Sequence, residues 1–225
     1  MVRGQSFSHI RPIGPPIQQA YIFQMRGVDE LVLLNVDNSG PQPELITKVL
    51  SKAGIPISIG GGIVDFSVAK ELIYKGADKL IFSSTLFENI DLVEKISRNF
   101  GIQSIVFHVP IIFKEDAPFA EFNNFIIELD KLKEKVKKWP IGEIMITDKN
   151  NDGSQQGISD NLVKASKEID LEMPIILGGG VKDHNCFKKA FKEINIAAVY
   201  SASAFAFTKL TSKSVWGSID LNDIN

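Results

Sequence analysis

Short apolar, β-branched runs alternate along the chain with longer stretches in which apolar residues recur every three or four positions. The first pattern predicts strands and the second amphipathic helices, because side chains repeat every two residues on a strand and about every 3.6 on a helix. Strands are predicted over 31–36, 56–59, 79–82, 104–108, 143–147, 174–177 and 198–201. Helices are predicted over 16–25, 44–53, 65–75, 90–99, 120–139, 159–169 and 183–194, with a last one after Ser203. Asp65 and Asp183 are placed to cap helix starts, and Gly54, Gly76 and Gly101 to follow helix ends. The strand runs are apolar on both faces, the pattern of parallel strands covered by helices. This rhythm predicts βαβ units around a parallel sheet.

The pattern then repeats on a larger scale. DELVLLNVDN followed by IPISIGGGIVDFSVAKELIYKGADKLIFSS is matched later by GEIMITDKNNDG followed by MPIILGGGVKDHNCFKKAFKEINIAAVYSAS. A period this long is no solenoid repeat. It predicts an α/β (βα)8 TIM-type barrel built from two repeated halves, about 1–103 and 104–225, within a single domain over 1–225. The first of eight strands has no counterpart of its own. It is either absent or replaced by a short strand over 2–6.

In each half a strand runs into Gly-Gly-Gly and a helix, and the next strand runs into a small residue and serine. Glycines there let backbone N–H groups approach an anion closely, and the helix start that follows favours negative charge. Gly61, Gly62 and Ser84 form one predicted phosphate site, and Gly179, Gly180 and Ser203 the other. A lone glycine-rich turn is more simply read as relief of crowding between strand and helix. Two copies in register, each with a serine, predict a small ligand carrying a phosphate at both ends.

Composition narrows the partners. The 225 residues are 44% hydrophobic and 23% charged, with a formal net charge of -2, so no long-range field favours nucleic acid or an anionic membrane. The single cysteine, Cys186, excludes an internal disulfide and provides no metal-ligand spacing. No metal or cofactor is expected. The start of the chain has no apolar signal region, and no apolar run approaches the ~20 residues that cross a bilayer. A cytoplasmic location is expected.

DELVLL, IGGGI, GADKLIFSS, GEIMIT, NDGSQQG and GGGV, in that order, resemble the cyclase subunit of imidazole glycerol phosphate synthase. The likeness runs from Arg3 to about Phe207. It implies a barrel that binds a bis-phosphate ribonucleotide at the C-terminal ends of its strands. It also implies a glutaminase partner at the opposite face, from which ammonia passes through the barrel. By this resemblance Gly62, Ser83 and Ser84 belong to one phosphate site, and Gly179, Gly180, Ala202 and Ser203 to the other. Arg3, Gly4, Asn35, Thr147, Asp152 and Gly153 match substrate-contacting positions. Glu30, Lys79 and Glu143 match three of four charged residues that gate the ammonia passage; the fourth, an arginine, has no counterpart. Asp78 matches a position at the glutaminase interface.

The sequence departs from that family in its acids. The aspartate expected on the first strand falls in a segment that is missing, Pro110 stands where the fifth strand's aspartate is expected, and Asn35 replaces a further one. Acid–base work needs a titratable group within reach of the proton moved. The remaining candidates are Asp152 and His108, with Asp37 just beyond the second strand and Asp148 bracketing the sixth strand's top loop with Asp152; His9 and His184 read as surface residues. The charged run KLKEKVKKW reads as a solvated helix face. Three other readings stay open: a synthase subunit for acetamidino modification of a surface sugar, a non-catalytic paralogue that binds a phosphorylated ligand, and a stand-alone isomerase.

Overall fold

A computed structural model describes residues 2–3, 10–36, 40–169 and 172–219. In chain order the elements begin with β1 (Val2–Arg3), β2 (Ile10–Arg11), α1 (Pro16–Met25), β3 (Leu31–Leu34), α2 (Pro43–Leu50), β4 (Ile57–Gly60) and α3 (Phe66–Tyr74). They continue with β5 (Lys79–Phe82), α4 (Thr85–Glu88), α5 (Ile90–Phe100), β6 (Ile105–Lys114), β7 (Ala117–Phe122), β8 (Phe125–Glu128) and α6 (Leu129–Val136). The last are β9 (Glu143–Asp148), α7 (Asp160–Ile169), β10 (Ile175–Gly178), α8 (His184–Glu193), β11 (Ala198–Val199), α9 (Ser203–Phe207) and α10 (Ser212–Trp216). Parallel strands alternating with helices make this an α/β fold of the TIM-type barrel class, as the pattern predicts.

The chain divides into two compact units. The first comprises Gly14–His108 and Trp139–Glu143. Its strands β3, β4, β5 and the start of β6 pair in sequence order, all parallel. Ile57, Ile59, Leu72, Leu80, Ile96, Ile105 and Phe107 are almost wholly buried and form its core. Strand β4 is buried along its whole length, whereas β3 alternates between intermediate and exposed positions. The reason is that β3 is an edge strand, paired with β4 alone among the described residues. Val32 and Leu34 therefore keep 39% and 38% of their surface despite being apolar.

The second unit comprises Met1–Ile13, Val109–Lys138 and Ile144–Asn225. Here β9, β10 and β11 pair in parallel, packed on buried Ile144, Ile146, Leu162, Leu177 and Ala190. The two predicted caps hold in their own units: Asp65 accepts from the Ser67 amide at 2.5 Å and Asp183 from the Asn185 amide at 2.9 Å.

Two expectations need correction. The helix predicted over 120–139 is a helix only in its second part, α6. Strand β6 instead continues through Lys114 and folds back antiparallel as β7, which pairs with β8. Glu115 and Asp116 form the first turn with φ of 50° and 64°, the left-handed geometry of a tight two-residue hairpin. The charged run of α6 carries its 3.6 period into 120–128 only by accident, and the period-two burial of β8 wins. The short strand proposed over 2–6 is not a barrel strand either. Val2–Arg3 pairs antiparallel with Ile10–Arg11 in a separate two-stranded ribbon, and residues 4–9 lie outside the described residues.

Candidate functional site

In the first unit, β4 ends in Gly61 and Gly62, with φ of 90° and 74°. Both positions require glycine. A methyl at Gly61 would stand 1.9 Å from the Asn35 carbonyl oxygen, and one at Gly62 2.9 Å from the Gly40 Cα. The Asn35 amide group donates to the Gly40 carbonyl at 2.7 Å, so the residue that replaces an expected acid holds Gly40, which lies against this turn. Beside it β5 ends in Ser83 and Ser84. The Ser83 hydroxyl donates to the His108 carbonyl at 3.0 Å, while Ser84 stands at the start of α4 without using its hydroxyl as a cap. The predicted members Asn35, Gly61, Gly62, Ser83 and Ser84 thus end neighbouring parallel strands. A neutral set of turn amides and hydroxyls is suited to an anion that brings its own charge.

The second unit repeats the arrangement. Gly179 and Gly180 follow β10 with φ of 102° and 81°. A methyl at Gly179 would meet the Asp148 backbone at 2.7 Å, and one at Gly180 would meet the Asn151 side chain at 2.1 Å. Asn151 is fixed there by donating to the Gly157 carbonyl at 2.6 Å, while the Gly157 amide donates to the Gly180 carbonyl at 2.7 Å. Ala202 is exposed and Ser203 buried, at the start of α9. Arg11, which the sequence did not mark, reaches this point: its Nη2 lies 3.5 Å from the Ser203 hydroxyl.

Within the second unit, hydroxyl and carboxyl groups cluster near the end of β9. The Tyr200 hydroxyl hydrogen-bonds the buried Thr147 hydroxyl at the end of β9. Burial, then the charge of Asp152, and to a smaller extent that of Asp148, push the phenol far above its ordinary range, against the Thr147 hydrogen bond. Tyr200 is thereby kept protonated. Asp152 itself is half-buried, its amide held by the Asp148 carbonyl at 2.9 Å, with Gly153 next to it at a φ of 74°. Asp148 is 3% exposed. Burial pushes its carboxyl up, and the donors Ser159 (2.9 Å) and the Asn151 amide (3.1 Å) only partly oppose this. It lines an open cleft of about 400 Å³ with Phe113, Asn151, Gln156 and Asn161.

The other sequence candidates are more scattered. His108 belongs to the first unit and is half-buried. Pro110 is a buried residue of β6, whose ladder with β5 ends at Phe107 and with β7 begins at Ile111. Proline lacks an amide donor, so it contributes only its carbonyl to the ladders of β6. Only the backbone of Arg3 is described; Gly4, His9 and Asp37 lie outside the described residues.

At the opposite, N-terminal ends of the first unit's strands, three charges predicted to act together do meet. The Lys79 ammonium lies 3.0 Å from Glu30 and 2.9 Å from Glu143, and the buried Ser58 hydroxyl donates to the other oxygen of Glu30. Partial burial disfavours the ammonium, but the hydrogen bonds and charges of Glu143 and Glu30 outweigh it and raise the Lys79 pKa. Asp78, next to this cluster in sequence, accepts from the Ile57 amide at 2.8 Å and so ties β5 to β4. Among the described residues there is no His, Cys, Asp and Glu group fit to hold a metal, and no helix long and apolar enough to cross a membrane.

Residues 1–211 match a protein-family model described as histidine biosynthesis protein. The imidazole glycerol phosphate synthase subunit HisF of Prochlorococcus marinus (strain AS9601) is 31% identical over 227 residues, covering 96% of this chain and 88% of that protein. The HisF subunit of Thermotoga sp. (strain RQ2) is 33% identical over 221 residues, covering 93% and 85%. That of Bacteroides thetaiotaomicron is 32% identical over 219 residues, covering 93% and 86%.

Proposed function

We propose a function that starts from one fact: the chain belongs to the histidine biosynthesis protein family. Within that family it is a relative of the cyclase subunit of imidazole glycerol phosphate synthase. In this reading the chain binds a ribonucleotide phosphorylated at both ends, and a glutaminase subunit supplies it with ammonia in the cytoplasm. The observation that carries the reading is the repeated subsite. Each unit has a Gly-Gly turn of positive φ beside a serine at the next strand end, Gly61–Gly62 with Ser84 and Gly179–Gly180 with Ser203. Such turns direct backbone N–H groups to one point, and phosphate oxygens are their natural acceptors. Two subsites match two phosphates. The Glu30–Lys79–Glu143 cluster supports the ammonia-linked part, since its members are the charges the family places at the passage entrance.

A second reading rests on the acids. Asn35 spends its side chain on Gly40, and Pro110 has no proton to give or take. The groups left to move protons are Asp152 and His108. Cyclisation of the family's usual substrate should be at least ~100-fold slower than in an intact relative, because a positioned acid–base group is worth about 10²–10⁴. A binding protein without turnover, or a subunit acting on a different acceptor such as a surface sugar, would keep both subsites and lose this reaction.

Calorimetric titration with the bis-phosphorylated ribonucleotide, followed by turnover with ammonium and then with a glutaminase subunit, separates these cases. Micromolar binding with slow turnover is expected. Absence of binding to any bis-phosphorylated compound overturns the reading, and turnover equal to that of an intact relative overturns the loss of acid–base chemistry.

A further inference from the structure

The second anion subsite has a cation that the first lacks. Arg11 stands on β2, and its guanidinium carbon lies 4.5 Å from the centre of the Phe207 ring while Nη2 lies 3.5 Å from the Ser203 hydroxyl. The ring and the hydroxyl belong to opposite ends of α9. Together they hold the guanidinium beside α9, with Nη2 at Ser203. Among the described residues no carboxylate stands within ion-pair distance of Arg11, so its charge has no protein counterion there. The Gly179–Gly180 turn and Ala202 are neutral, and Ser203 contributes only a hydroxyl. No cation hydrogen-bonds Ser83 or Ser84 among the described residues of the first subsite.

We propose that Arg11 is the cationic ligand of the second subsite, delivered by the β1–β2 ribbon to a phosphoryl group seated between Gly179–Gly180 and Ser203. This rests on the anion-subsite reading above and adds to it which end of the ligand is held by charge. A guanidinium offers a planar fork of donors that matches two phosphate oxygens, and it stacks on an aromatic face without losing that fork. Phe207 fixes the plane. The contact with Ser203 is at the outer limit of a hydrogen bond and is readily exchanged for a phosphate oxygen, to which both Arg11 and Ser203 then donate. The first subsite, built of neutral donors, holds its phosphate more weakly.

The test uses inorganic phosphate and ribose 5-phosphate as probes on the full chain, with two-site fits of calorimetric or phosphorus NMR titrations. Arg11→Gln, which keeps a donor for Ser203 but not the charge, and Arg11→Ala should each weaken the tighter site about 10- to 100-fold. Arg11→Lys should recover part of the loss, and the salt dependence of the tighter site should flatten in Arg11→Gln. Ser84→Ala should affect only the weaker site. A structural tether would behave otherwise: Arg11→Gln would melt at a lower temperature yet keep the wild-type dissociation constant, and that outcome overturns the assignment. If the wild-type chain binds neither probe, the anion subsite itself is refuted; if it binds and Arg11→Gln binds equally, only the role of Arg11 is.

Discussion

The ring of Tyr200 lies directly on the backbone of Gly178: a methyl group at Gly178 would stand 2.1 Å from the ring's Cε1. The contact explains why the second Gly-Gly-Gly begins with a glycine whose own φ is ordinary. It makes room for an aromatic ring whose hydroxyl reaches Thr147. Gly178→Ala should therefore destabilise the protein by about 1–3 kcal/mol, the usual cost of overpacking. Tyr200→Leu alone loses the hydrogen bond, but combined with Gly178→Ala it removes the clash. Denaturant unfolding of the two single variants and the double variant should show less than additive loss. Strict additivity would mean that the ring moves aside freely.

Lys79 holds two carboxylates that would otherwise face each other. Lys79→Met should cost about 1–3 kcal/mol at neutral pH, because it leaves partly buried Glu30 and Glu143 with no cation between them. The sign of the pH dependence follows from the shifts. In the wild type the raised Lys79 pKa gives a contribution that is complete below the ordinary lysine range and is lost as pH rises through the raised value. The variant lacks that contribution, so its deficit should stay constant through neutral pH and shrink only as pH rises through the raised lysine range. Thermal melts from neutral to alkaline pH measure this directly, and a deficit that grows toward alkaline pH would contradict it.

Most of the scaffold was legible because its signals are local. Periodicity located nearly every parallel strand and its helix, and Asp65 and Asp183 announced the helix starts that they do cap. The glycine turns could be read because a repeated Gly-Gly after a strand has few other uses. What sequence could not reveal depends on side chains that meet across the fold. Arg11 and Ser203 are far apart in the chain, and nothing near Arg11 marks it as a ligand residue. Tyr200 read as an ordinary strand residue and Asp148 as a loop acid, since the character of both comes from burial, and for Tyr200 also from the charges of Asp152 and Asp148. The β7–β8 hairpin was missed for a different reason. Its Asn123–Asn124 turn and alternating residues are a hairpin signal, masked by the helical period of the charged run that follows.

Asp148 is a buried acid whose charge the fold opposes. Its raised pKa means that the wild type is relatively more stable when the group is protonated, a contribution present at low pH and lost as pH rises through the raised value. Asp148→Asn keeps an acceptor for Ser159 or for the Asn151 amide and removes the charge. The variant should match or exceed the wild type in melting temperature at pH 7 and lose that advantage toward pH 4. A variant that is worse at pH 7 than at pH 4 would show that the carboxylate is a needed anion.

The Gly61–Asn35 contact gives the sharpest separation between scaffold and site. A methyl at Gly61 would lie 1.9 Å from the Asn35 carbonyl oxygen, and its φ of 90° is one that side-chain-bearing residues rarely adopt. Gly61→Ala must therefore push the β4 turn away from β3, at about 2 kcal/mol or more. That shift redirects the turn amides that the first phosphate would use, so the first subsite should be lost along with the stability. Ser84→Ala is the counterpart that leaves the backbone alone: it removes one neutral hydrogen bond, and affinity at this subsite should fall about three- to tenfold with no change in melting temperature. Titration with ribose 5-phosphate distinguishes the two, because the second subsite should bind normally in both variants. If Gly61→Ala keeps wild-type affinity at the first subsite, the phosphate does not rest on this turn, and the paired-subsite reading of the chain loses half of its basis.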